Sequence, residues 1–163
     1  MPQLNQFCAL IVSVAAATAS AQAVRTERNI SLELANQIAA ASVAACAANG
    51  YNVTATVVDR AGSVRAVQRA DNAGPHTLAA SQQKAFTSAS AKNSTLAMME
   101  GAQKNPAAAN LVYLPGFLLL GGGVPIKVGN ETIGAVGVGG APGGHLDEQC
   151  AMAALAKVQD QLK

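Results

Sequence analysis

The stretch Leu118 to Cys150, LLLGGGVPIKVGNETIGAVGVGGAPGGHLDEQC, decides how the rest of the chain is read. An apolar run meets three glycines, Gly121 to Gly123. Two short alternating segments, Val124 to Val128 and Thr132 to Val138, then flank the turn residues Gly129 and Asn130, which is the pattern of a β-hairpin. The second strand runs into Gly139, Gly140, Pro142, Gly143 and Gly144. From His145 a helical pattern begins, with Asp147 and Glu148 in its first turn. Glycines let another group approach the backbone closely, and a helix start presents free N–H groups with partial positive charge. The junction therefore has two readings: a dock for a small anionic group, or close packing of helix on sheet with no ligand. A dinucleotide fingerprint is excluded, because it needs a further strand ending in an acidic residue and only about 20 helical residues follow. A P-loop is excluded by His145 and Leu146, which stand where Lys and then Ser or Thr are required.

Upstream, Ile30-Ser31-Leu32-Glu33 reads as a helix start with Ser31 as N-cap, and the helix runs to about Asn49 before Gly50 stops it. Its buried stripe is Ala35, Ile38, Ala39, Ser42 and Cys46. Val53 to Asp59 and Val64 to Arg69 form a second hairpin through the turn Asp59-Arg60-Ala61-Gly62, with Arg65 and Arg69 on one face. Gly74 and Pro75 then open an alanine-rich helix to about Ala91. His76 and Thr77 fall in its first turn, where the positive potential favours neutral imidazole, the form that ligates a metal. Lys84 is expected near this helix's solvent edge. A shorter helix and a loop fill Asn93 to Asn110, with Met98 and Met99 as core fillers or soft ligands. Tyr113 is either structural or an axial ligand. The final helix, His145 to about Leu162, presents Ala151, Leu155, Val158 and Leu162 to the core.

Half the residues are hydrophobic and 12% are charged, the profile of a small globular domain. Net charge is +2 with no basic cluster, and three Phe and two Tyr leave little to stack on bases, so nucleic acid is not an expected partner. Residues 1–23 stand apart: Phe7 to Ala17 is an apolar h-region and Ala21-Gln22-Ala23 a small-x-small cleavage site, which reads as a cleaved signal peptide ahead of one domain, 24–163. That predicts a periplasmic or secreted protein. The apolar run is too short to span a bilayer and no later apolar run reaches the required length, so stable membrane insertion is not expected. Export would leave Cys46 and Cys150 in an oxidising space. Both sit in expected helices, either bridged if those helices pack side by side or buried as free thiols.

The order helix, hairpin, helices, hairpin, helix gives an antiparallel sheet with helices against it, an α/β (α+β) arrangement. Four segments in that order resemble the GlcG/HbpS family, whose related module forms the C-terminal part of PduO-type proteins. They are Arg69-Ala70-Asp71-Asn72-Ala73-Gly74-Pro75-His76-Thr77, Lys84-Ala85-Phe86-Thr87, Gly121-Gly122-Gly123-Val124-Pro125-Ile126, and Gly134-Ala135-Val136-Gly137-Val138 running into Gly143-Gly144-His145-Leu146-Asp147-Glu148. The resemblance covers nearly all of 24–163. It departs at Phe86, where many relatives carry Tyr, and at Asn72, where Gly is frequent. It implies a profilin-like three-layer sandwich, a five-stranded antiparallel sheet with helices on both faces, assembled into homo-oligomers that are often octamers.

The resemblance also implies haem as ligand, with sequestration, sensing or degradation as roles. Haem needs an apolar slot, axial ligands and donors for its propionates. The slot is expected around Leu118 to Leu120. Iron contact falls to His76 and Thr77, the propionate donors being Arg69, Lys84, Gly143, Gly144 and His145. No catalytic residue is assigned. Two alternatives stay open: a small-molecule enzyme using His76 or His145 as acid/base over the glycine-rich anion site, and a non-catalytic oligomeric structural or sensory module.

Overall fold

A computed structural model describes residues 23–163, so the cleavage-site and h-region reading of 1–22 lies outside the described residues. The elements are α1 (Leu32–Ala47), β1 (Thr54–Asp59), β2 (Val64–Arg69), α2 (His76–Ala91), α3 (Thr95–Lys104), a 3₁₀ segment (Pro106–Tyr113), β3 (Gly123–Val128), β4 (Glu131–Gly139), α4 (Gly144–Lys157) and a last 3₁₀ turn (Gln159–Gln161). Ser31 caps α1 as expected, accepting from Leu34 N at 3.1 Å. Among the described residues no helix is long and apolar enough to cross a membrane.

The four strands run antiparallel in the order β2-β1-β4-β3. Each hairpin contributes one central and one edge strand. Among the described residues the expected fifth strand is not met: two hairpins supply the extended segments, and the lead into α1 adds a sheet-like bond, Ile30 N to Ile133 O at 3.1 Å. The helical layers on the two faces are as expected.

Strand alternation sorts the side chains. Ala55, Val57, Ala66, Val124, Ile126, Val136 and Val138 face α1 and α4, completing the main core with Ala35, Ile38, Ala39, Ala151 and Ala154. The other face meets α2 through small and polar groups. Thr54 and Thr56 bond Thr77 and Ser81 hydroxyl to hydroxyl at 2.7 and 2.8 Å, and Val58 packs on Ala85 and Ala89. Gly137 lets α2 lie on β4: an added Cβ would stand 2.0 Å from Ser81 O and 2.5 Å from Ala85 N.

On the core side, Cys46 of α1 and Cys150 of α4 form a disulfide, Cα to Cα 5.3 Å across 104 residues of chain. That resolves the alternative left open by the sequence. Thr54 of β1 pairs with both Arg69 and Gly139, so the segments entering α2 and α4 leave the sheet at the same end. At the other end Glu131 bonds Arg28 and Arg60 at 2.7 and 2.8 Å, and these two guanidinium groups, Arg28 first, hold its carboxyl below the ordinary value of 4.5.

Candidate functional site

Two features occupy the sheet end where α2 and α4 begin. The first is an open shelf. Ala66 is the one buried side chain of β2 and faces α1, so Arg65, Val67 and Arg69 alternate to the opposite side, that of α2. Since α2 lies over β1, β4 and β3, this side of β2 stays uncovered and Val67 is 43% exposed. Arg69 donates from Nη2 to the carbonyl of Ala73, fixing the loop that leads to His76. His76 is exposed at the first residue of α2, its imidazole folded back over Gly74. Guanidinium, apolar side chain and accessible imidazole are thus carried by β2 and the start of α2.

Thr77 is different. It is buried, and its hydroxyl lies 2.7 Å from the Thr54 hydroxyl and 2.6 Å from Gly74 O. With both contacts made inside the fold, this oxygen pins α2 to β1 and does not face the shelf. Histidine and threonine, neighbours in sequence, are separated by the 100° step of the helix.

The second feature is a strut through the sheet edge. Lys84 is not at a solvent edge: it is 1% exposed, and Nζ donates to Asp147 Oδ2 at 2.8 Å and to Val138 O at 2.9 Å. Lys84 comes from the α2 face and Asp147 from the α4 face. They meet beside Gly122, where an added Cβ would stand 2.8 Å from Asp147 Cβ and 3.1 Å from Lys84 Nζ. Asp147 Oδ1 accepts from Ala141 N at 2.9 Å, so the same carboxylate holds the β4–α4 loop. Burial pushes the Asp147 carboxyl up from its ordinary 3.8, with Lys84 pulling it the other way. A donor with these two acceptors already filled is poorly suited to a propionate.

The glycine junction mostly follows the packing reading. An added Cβ on Gly144 would stand 2.8 Å from Gly121 N and O, and one on Gly140 would meet Asn52 O at 2.6 Å. Gly143 is less confined: only the His145 imidazole lies over it, the same fold-back seen for His76 on Gly74. His145 is exposed, and Asp147 turns inward to Lys84 and Ala141, so the two do not form a tuned acid/base pair. Thr77 Cγ2 lies beside Gly140, which joins the shelf to the strut through Ala141 and Asp147.

The remaining candidates lie apart. Phe86 stands against Gly62 and Gly116 with its ring 6.3 Å from that of Phe117, toward the turn between β1 and β2 and away from His76. Tyr113 is 80% exposed, and Met99 lines an apolar groove with Val112 and Leu119. The Lys84–Asp147 strut is what reading along the chain missed. Its signal was present: Thr77, Ser81, Lys84 and Ser88 recur at helical spacing, as do Asp147, Ala151, Ala154 and Val158, placing one opposite charge on each inward stripe.

These observations define a class: a small α+β domain, an antiparallel sheet between helical layers, with a histidine-bearing shelf and a buried ion pair at one end. Within that class the chain belongs to the family described as haem degrading protein HbpS-like, whose model matches residues 30–156. Protein GlcG of Escherichia coli K12 is 35% identical over 114 residues, spanning 70% of this chain and 84% of that protein. A double-mutant form of Streptomyces reticuli HbpS superposes with a TM-score of 0.78 at 35% identity, covering 90% of this chain and 98% of that one. Klebsiella pneumoniae protein ORFY gives a TM-score of 0.80 at 28% identity, covering 85% and 96%.

Proposed function

We propose that this chain is an exported haem-binding protein whose iron is held by His76 on the open shelf of β2 and α2. The observation that carries the reading is the exposed imidazole at the start of α2, after the loop that Arg69 fixes, in a chain of a family described as haem degrading. The residues fit the group by donor chemistry. A neutral imidazole ligates iron, an apolar side chain meets the macrocycle, and Arg69 offers a cation to a propionate. Bound there, haem would supply the iron centre on which sequestration, sensing or degradation depends.

Arg69 fixes the Ala73 carbonyl and with it the approach to His76. Thr77 and Lys84 hold α2 in place, to β1 and α4 respectively. Gly143, Gly144 and His145 provide the second helix start from which a carboxylate can be bonded. The shelf is open on one side, and a second copy of the chain in a homo-oligomer closes it. Export follows from the signal-like residues 1–23 and suits the Cys46–Cys150 bridge, which persists in an oxidising compartment. The test is a haem titration of the chain from Val24, followed at the Soret band with light scattering in parallel. Saturable binding at one haem per chain by the assembled form supports the reading. The absence of any saturable change overturns it.

A further inference from the structure

The two halves of the disulfide are not equivalent. Both sulfurs belong to the α1–α4 core, Cys46 being 0% and Cys150 4% exposed, but of the two only Cys150 lines a cleft of about 260 Å³ between the end of α1 and the start of α4. Asn49, Tyr51, Leu146 and Gln149 form the walls of that cleft. Its lining is uncharged and of mixed polarity, so neither repulsion nor a bound counterion opposes a small thiolate. We infer that Cys150 is the sulfur at which a low-molecular-weight thiol attacks, making this bridge a site of reversible thiol exchange. The incoming thiolate bonds to Cys150 Sγ, the Cys46–Cys150 bond breaks, and Cys46 leaves as a thiolate that takes a proton from water. A second thiol molecule then attacks the mixed disulfide. It leaves as the oxidised thiol dimer and frees Cys150, so two thiols are oxidised for one bridge reduced.

The position gives the exchange a consequence. Asp147 stands one helical turn before Cys150, so this turn of α4 is tied to α2 by the ion pair and to α1 by the bridge. Opening the bridge removes the covalent tie to α1 and leaves only the packing of the two helices on that side. This inference is independent of the haem reading. The native oxidised chain is incubated with excess reduced glutathione without denaturant, quenched in acid, alkylated and mapped by peptide mass. Glutathione on Cys150 and the alkyl group on Cys46, by a margin of tenfold or more, is the expected result. Equal labelling, preference for Cys46, or reduction only after denaturation overturns it. Should reduction outrun trapping, Cys46→Ser and Cys150→Ser decide, once circular dichroism shows both folded. The lone Cys150 must then react with an aromatic disulfide at least tenfold faster than the lone Cys46, and equal rates contradict the inference.

Discussion

Lys84 shows how much one residue can hide. On a helical wheel it looks like a charge at a helix edge, yet the fold draws it inward because Asp147 waits on the other layer and Gly122 leaves the space between them open. Breaking such a pair leaves a buried charge uncompensated. Lys84→Met should therefore cost about 3–5 kcal/mol, whereas Lys84→Met with Asp147→Leu should be near neutral; chemical denaturation of both variants checks the difference. The pH dependence has a definite sign. Folded Asp147 holds its proton more tightly than the unfolded chain does, so its contribution to stability falls as pH rises from its ordinary 3.8 toward its raised value. Glu131, held below 4.5, acts in reverse: its contribution is present above that value and is lost as pH falls through the lowered one. Denaturation of Asp147→Asn and Glu131→Gln between about pH 3 and 6 should remove these two opposed slopes.

At the level of elements, α2 rests on the sheet through absent side chains. Gly137 is the point of closest approach, so Gly137→Ala, a change of one methyl, must push α2 away from β4 and should cost about 1–3 kcal/mol or more. Gly101 in α3 has nothing within 4 Å of an added Cβ, and Gly101→Ala should instead stabilise by about 0.4–1 kcal/mol. Thermal unfolding of the two variants should shift in opposite directions. Elements of this kind were legible in the sequence. Ser31, the turn at Asp59 to Gly62, the turn at Gly129 and the glycine-to-helix junction all carry local signals, and the elements formed where those signals stand. What the chain did not reveal is nonlocal: the partner of Lys84, the inward turn of Thr77, and the strand count, which came from resemblance instead of from the two hairpins present.

Across the whole molecule, the bridge from α1 to α4 closes a loop spanning 104 residues, and the loop entropy it removes from the unfolded chain corresponds to about 4–5 kcal/mol. Cys46→Ala with Cys150→Ala should therefore unfold at markedly lower denaturant concentration. The slope of that transition should rise as the unfolded state expands. The sheet end that gathers both helix starts is the place where fold and proposed function meet, because the hairpin register brings Arg69 and Gly139 to Thr54 from opposite sides. His76 faces outward there, while Thr77 and Lys84 hold the helix that carries it. The most direct measurement is a Soret titration of the chain from Val24 alongside His76→Ala, His145→Ala and Thr77→Val. Iron held by His76 requires that only His76→Ala loses or shifts the bound spectrum, with Thr77→Val lowering stability and leaving the spectrum unchanged. An unaltered spectrum in His76→Ala, or its loss in Thr77→Val while that variant stays folded, would contradict it.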